Sequence, residues 1–417
     1  MINNSKHNEL KGFLAKHHLY VKSDFNKFAW YTFFSPMEPL NLLFLLYLHH
    51  LFDSYAIAGL LISLKMILSA FLQVLFSGVK DRAELKYTLA VAEFSACVSY
   101  LFFVIAPFFD ANMMAVLCVG ICFSAIAKAL WDGTYNAFIY ENFEKDHPEL
   151  GTKPYSKLQS VFYLGKSAEM IISATLAGSL GFGWALSFGM ITNLTASIIA
   201  LCLKGPKRMP KMEDEISSKH QVGILHFIES TKHMFQNDKL RYISIAEIVR
   251  MSLVETYHRF TIPFYKTFMP LSTLGYVETV RQILGSTSFF FSQGIIKKFG
   301  FIKCIKGFFV IRFVLFIVGL MLNSVLTPVF FIFRTLFYGP MITCVEYTMQ
   351  KHYSEKERVS MSASLRMLSM PVAALFMYVL GLIADIFSLQ MALAFLLPFY
   401  FIPYILYRKT FQILGKE

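Results

Sequence analysis

Residues 77–88 read SGVKDRAELKYT. Two small residues stand near the start, an Asp-Arg pair (Asp81, Arg82) follows, and Lys86 comes near the end, with a long apolar run on either side. Residues 293–304, QGIIKKFGFIKC, repeat the arrangement later in the chain. Aligned, Ser77 to Arg82 fall on Gln293 to Lys298, and Glu84 falls on Gly300. Each stretch follows the second apolar run of its part of the chain. The chain therefore reads as two related halves.

The apolar runs themselves set the class. Of 417 residues 56% are hydrophobic and 16% charged, with a mean hydropathy of +0.52; soluble domains carry about 25% charged residues. Crossing a bilayer as a helix takes roughly 20 mainly apolar residues. Twelve such runs are present, at about 27–51, 55–79, 87–108, 112–138, 157–180, 183–203, 240–265, 272–295, 302–324, 326–350, 358–383 and 388–407. Backbone groups in lipid must be satisfied within the segment, which predicts helices. A β-barrel would show short alternating strands instead.

Basic residues orient the runs. Lys6, Lys11, Lys16, Lys22 and Lys27 precede or open the first one, and the even-numbered connections and the C-terminus are rich in Lys and Arg. The odd-numbered connections hold only Lys266. Basic loops stay on the cytoplasmic side, so both termini are expected there, in an inner membrane. That topology accounts for the net charge of +12, and no basic soluble domain remains for nucleic acid. The N-terminus lacks the apolar core and cleavage site of a signal peptide. All six Cys (Cys97, Cys118, Cys122, Cys202, Cys304, Cys344) fall in or at the edge of the runs. None has metal spacing, and no disulfide is expected. No phosphate-cradling G-x-x-x-x-G-K-S/T, H-E-x-x-H or G-x-S-x-G occurs, so no cofactor, ATPase or hydrolase chemistry is expected, and the chain is not read as an enzyme.

The stretch at 77–88 resembles the loop between helices 2 and 3 of the major facilitator superfamily, roughly G-x-x-x-D-R-x-G-R-R/K. Asp81, Arg82 and Lys86 match it, while Ser77, Glu84 and Leu85 stand where the pattern has Gly, Gly and Arg. In the second copy Lys298 and Gly300 fit, and Lys297 replaces the acid. WDGTYNAFIYE (residues 131–141) is similar to the end of helix 4 in bacterial permeases of that superfamily, through Gly133, Ala137, Ile139, Tyr140 and Glu141. The resemblance implies an all-α membrane protein with twelve transmembrane helices in two pseudo-symmetric six-helix bundles. It also implies that Asp81, Arg82 and Lys86 help lock the halves in one state, and that the third helix of each three-helix repeat lies away from the central space. The fifth run lacks the Gly-Pro pair of the superfamily's drug–proton antiporters. The expected domains are a basic N-terminus (1–26), a first bundle (27–204), a linker (205–238) and a second bundle with a short tail (239–417). Within the linker Val222, Ile224, Leu225, Phe227 and Ile228 suit a short amphipathic helix on the membrane surface.

Charges inside the runs carry the functional reading, because each costs about 2.5–3.5 kcal/mol at a helix centre on insertion scales. Five pairs have helical spacing: Lys128–Asp132, Lys166–Glu169, Glu247–Arg250, Glu255–Arg259 and Glu278–Arg281. Glu38–Lys65 and Glu346–Arg366 could pair between helices. Such residues serve either as structural ion pairs or as gates that break and re-form, and Asp132 and Arg334 join the gating set. For substrate contact the candidates are Lys65, Lys128, Lys166, Arg250 and Tyr257. For proton coupling they are Glu38, Glu255, His258 and Glu169. Glu38 leads, because Pro36 and Pro39 bracket it and prolines kink a helix. Burial also makes the charged form of a carboxylate costly, linking its protonation to its exposure. The expected partners are a small-molecule substrate, protons and the lipid bilayer, with the chain a monomer. The expected function is secondary transport of a small polar or charged organic solute by alternating access. Export of an amphiphile (siderophore, drug or lipid) would call for an apolar cavity. A sensor or assembly factor on a permease fold would bind without flux.

Overall fold

The computed structural model describes residues 24–139, 142, 153–204, 231–352 and 358–414, and no strand occurs among them. The first half holds α1 (24–34), α2 (Leu40–Phe52), α3 (Tyr55–Arg82), α4 (Leu85–Ile105), α5 (Met113–Trp131), α6 (Thr134–Ile139), α7 (Lys153–Ser179) and α8 (Phe182–Leu201). The second holds α9 (Asp238–Lys266), α10 (Leu271–Phe299), α11 (Phe301–Leu322), α12 (Thr327–Phe333), α13 (Tyr338–His352), α14 (Arg358–Ile386), α15 (Leu389–Phe395) and α16 (Leu397–Leu414). The linker with Val222 to Ile228, the Lys-rich N-terminus, Tyr140 and Glu141 lie outside the described residues.

Helices occupy each of the twelve expected stretches, and eight of them are by themselves long and apolar enough to cross a membrane. The other four are the first, fifth, seventh and eighth. The first is broken outright: α1 ends at 34, residues 35–39 are not helical, and α2 starts at Leu40. Pro36 and Pro39 account for the break, since neither can donate a backbone hydrogen bond. The remaining three, α7, α9 and α10, are long enough but carry charges in mid-span. These three help line the central site, together with α11 and the tenth stretch.

Outward faces are apolar. On α3, Leu60, Leu64, Ile67, Phe71 and Leu75 recur every three or four residues and are all exposed, a stripe that needs lipid rather than water. Between the halves, α3 packs on α14, α7 on α10 and α2 on α9. The approach is close at one end. A Cβ on Gly381 would lie 2.4 Å from the Tyr55 carbonyl oxygen, one on Gly59 2.6 Å from that of Met377, and one on Gly275 2.4 Å from that of Met170. Here both halves share one apolar core, running from Tyr47, Phe103 and Leu186 to Phe260, Phe331 and Leu393. At the other end each half keeps its own core: Phe28, Leu89, Tyr135 and Ala200 in the first, Ile243, Cys304, Val345 and Tyr407 in the second. The molecule is thus joined at the end bearing Asp53 and Asp385 and split at the end bearing Glu84 and Gly300. Both turns of the internal repeat lie at the split end. Glu84 is the residue before α4, and Gly300, at φ 79°, takes the left-handed backbone that turns α10 into α11.

Candidate substrate site

A cavity of about 290 Å³ lies at mid-depth between the halves, immediately beyond the joined end. Among the described residues the first half contributes α7 alone, through Phe162, Tyr163, Lys166 and Met170. From the second half come Glu255, Tyr257, His258 and Arg259 on α9, Glu278 and Arg281 on α10, Arg312 on α11, and Arg334 with Tyr338 from the tenth stretch. Its lid is the close packing of α7 on α10, where Thr279 Oγ1 donates to the Ser167 carbonyl at 3.1 Å.

Arg334 owes its place to an irregular turn. The tenth stretch tightens into a 3-10 segment, Arg334–Phe337, between α12 and α13. Pro340 lacks the N–H that would otherwise bond the Leu336 carbonyl. Ser288 on α10 takes over: its Oγ donates to that carbonyl at 2.7 Å and accepts from Gly339 N at 2.9 Å. A Cβ on Gly339 would sit 2.6 Å from Ser288 backbone, so only glycine allows this contact. Arg334 is 4% exposed, and its guanidinium lies 4.5 Å from the Tyr257 ring, 4.7 Å from Phe316 and 5.1 Å from Tyr400.

The carboxylates in the wall are already engaged. Arg259 donates to Glu255 at 2.6 and 3.0 Å, and Arg281 Nε to Glu278 at 2.6 Å. Arg281 also meets His258 Nδ1 at 3.3 Å. Lys166 forms no ion pair with Glu169, whose two carboxylate oxygens are buried without a hydrogen-bond partner. Of the sequence candidates, Lys166, Tyr257, Glu255, His258 and Arg334 therefore come together around one space, Arg334 as part of its wall.

Others are placed elsewhere. Arg250 is held by Glu247 through two bonds of 2.6 and 2.7 Å and reaches Tyr338 OH at 3.1 Å, while Tyr407 OH caps the same carboxylate. Lys128 pairs with Asp132 at 2.8 Å, and Gln73 binds the other Asp132 oxygen at 2.8 Å. Lys65 rests on an aromatic face, its Nζ 5.7 Å from the centre of the Phe44 ring. Glu38 stands half-buried in the break of the first helix. Lys86 meets Glu84 at 3.4 Å and the Tyr87 ring at 4.7 Å. Asp81 and Arg82 fall in the last turn of α3, with side chains outside the described set, as is that of Glu346, and Arg366 is exposed.

Two residues depart from the placement that the resemblance implies for their helices. Glu93 and Arg312 lie on the third helix of their repeats, expected to face away from the centre. Both turn inward. Glu93 is 2% exposed and accepts from Tyr31 OH at 2.8 Å and Ser35 Oγ at 2.6 Å, at the break of the first helix. Arg312 lines the cavity, 4.8 Å from the Tyr338 ring, with its Nη1 3.6 Å from Met341 Sδ. Arg312 shares a face with Ile305, Phe309 and Phe316, which the structure buries; spacing alone does not mark that face, because neighbouring Val310 and Val314 are equally apolar and face outward.

The family model of the Major Facilitator Superfamily matches residues 28–377, and the chain belongs to that superfamily. No curated protein sequence matches it significantly. The fold is similar to that of solved transporters. The POT family transporter PepTSo superposes with a TM-score of 0.71 at 12% identity, covering 95% of this chain and 98% of that one. A point mutant of the nucleoside transporter NupG gives 0.69 at 13% identity, over 93% and 99%. A bacterial homologue of the human lysosomal transporter Spinster, solved inward-facing and unoccupied, gives 0.69 at 12% identity, over 94% and 97%. At these identities the likeness concerns the fold. The family match and the eight apolar spans make the chain a multi-pass membrane protein of that superfamily.

Proposed function

We propose that this protein is a secondary active transporter that moves a small charged organic solute across a bacterial inner membrane by alternating access and draws on protons to do so. The observation that carries the reading is a polar, charge-lined cavity at mid-depth between two halves that are joined at one end only. Rocking about that space would expose the same residues to each side in turn. The basic segments flanking the split end argue for its lying in the cytoplasm with both termini, which makes this state open to the inside. Charges in the wall speak against an amphiphile. For the proton, Glu169 is favoured. It is fully buried one turn from Lys166, with both oxygens lacking a hydrogen-bond partner, and a carboxyl group in that position avoids the cost of an unpaired buried charge by carrying a proton.

The test is current recording from proteoliposomes on a solid-supported membrane, with solutes offered in turn with and without a proton gradient. Gradient-dependent currents that vanish in Glu169→Gln, while solute binding persists, would support the reading. Solute binding without any flux would replace it with a binding or sensing role.

A further inference from the structure

We infer that the cavity receives an organic anion with a doubly charged oxyanion head and a body of about one ring, gripped by Arg312, Arg334 and Lys166; this rests on the cavity being the substrate site. Five cationic side chains line the space against two carboxylates. Glu255 and Glu278 are each held by the arginine beside them, so the excess resides on the remaining three cations. Among the described residues none of these three has a carboxylate within ion-pair distance.

The two arginines are the stronger part of the argument. Arg334 is almost wholly buried, and its surroundings are ring faces. The Nε atoms of both Arg334 and Arg312 are buried without a hydrogen-bond partner. Cation–π contact recovers part of the cost of removing a guanidinium from water, but leaves its planar donor fork unused. That fork matches a carboxylate or phosphate edge. A neutral solute would leave the excess untouched, a cation would worsen it, and a monoanion would meet only part of it. Phe162, Tyr163, Met170 and Phe289 offer apolar surface for the body. A volume of about 290 Å³ lies near the lower limit of ligand sites, about 300 Å³, which fits one ring.

The experiment uses the purified full chain in detergent. Phenyl phosphate, phthalate, benzoate, benzyl alcohol and benzylamine are compared by thermal shift and titration calorimetry at low and high salt. Phenyl phosphate or phthalate should raise Tm and bind at least about tenfold more tightly than benzoate, with the advantage shrinking as salt rises. Whichever of the two binds better identifies the head as phosphate-like or dicarboxylate. Benzyl alcohol and benzylamine should give no shift. Arg312→Gln and Arg334→Gln should each weaken the dianion at least about tenfold. Should these variants not fold, Arg312→Lys and Arg334→Lys keep the charge, remove the fork and should still lose affinity. Benzylamine or benzyl alcohol matching phenyl phosphate, no shift by either dianion at millimolar concentration, or undiminished affinity in the folded arginine variants would each overturn the inference. Dianion binding without flux in proteoliposomes would leave it standing and remove the transport reading, and flux of neutral solutes without dianion binding would do the reverse.

Discussion

At the scale of single residues, buried charges divide into those the protein satisfies and those it does not. Glu247 and Arg250 belong to the first kind, locked by two hydrogen bonds with Tyr407 and Tyr338 closing the group. Removing one partner of a buried pair leaves the other uncompensated, at about 3–5 kcal/mol. Glu247→Ala should therefore lower the yield of folded protein and its Tm, and adding Arg250→Met should restore both. Full activity and Tm in the single variant would return Arg250 to the substrate candidates. Glu93 sits between neutral donors. Glu93→Ala strands the hydroxyls of Tyr31 and Ser35, at about 1–3 kcal/mol each, whereas Glu93→Gln keeps an acceptor and should unfold nearer the wild-type temperature. The i, i+3 and i, i+4 spacing made the pairs on α9 and α10 legible in the sequence. It could not tell that Lys166 and Glu169 stay apart, because spacing fixes a shared face and not the rotamers chosen on it.

At the scale of elements, the break in the first helix could be read from Pro36 and Pro39, and the turn between α10 and α11 from Gly300. The inward aim of Arg312 was harder to see. In a membrane helix both the lipid face and the packed face are apolar, so the hydrophobic period that marks the inside of a soluble helix fades. Phe309 and Phe316 are packed while Val310 and Val314 face outward, and composition does not separate them. The 3-10 turn that places Arg334 depends on a residue nearly fifty positions away, Ser288, which no local pattern reveals. Ser288→Ala should cost about 1–3 kcal/mol, because it leaves a half-buried carbonyl and a buried N–H without this partner. It should also weaken the best-binding anion in titration, although residue 288 does not line the cavity. A drop in Tm with undiminished affinity would show that Arg334 holds its place without this support.

At the scale of the whole molecule, the closure of the joined end has an identifiable latch. Asp385, at the end of α14, accepts from Ser54 Oγ at 2.7 Å, from Tyr55 N at 2.7 Å and from Ala56 N at 2.9 Å. It thereby caps the first turn of α3 in the opposite half, a turn with no acidic residue of its own. Helix N-termini leave N–H groups unsatisfied and attract negative charge, so the cap exists only while the halves touch. A cap is worth about 1 kcal/mol, less than the helix contacts at Gly59, Gly275 and Gly381 would contribute together, but enough to bias a balanced two-state equilibrium about fivefold. Asp385→Ala should therefore shift the population towards the state open at this end. Asp385→Asn, which keeps one oxygen acceptor, should shift it less. Spin labels at positions 180 and 325 report the joined end, and labels at 84 and 299 the split end. In Asp385→Ala the first distance distribution should gain a longer component while the second gains a shorter one. If the first lengthens and the second does not change, the loop has only frayed locally and the halves do not rock about the central cavity as coupled bodies.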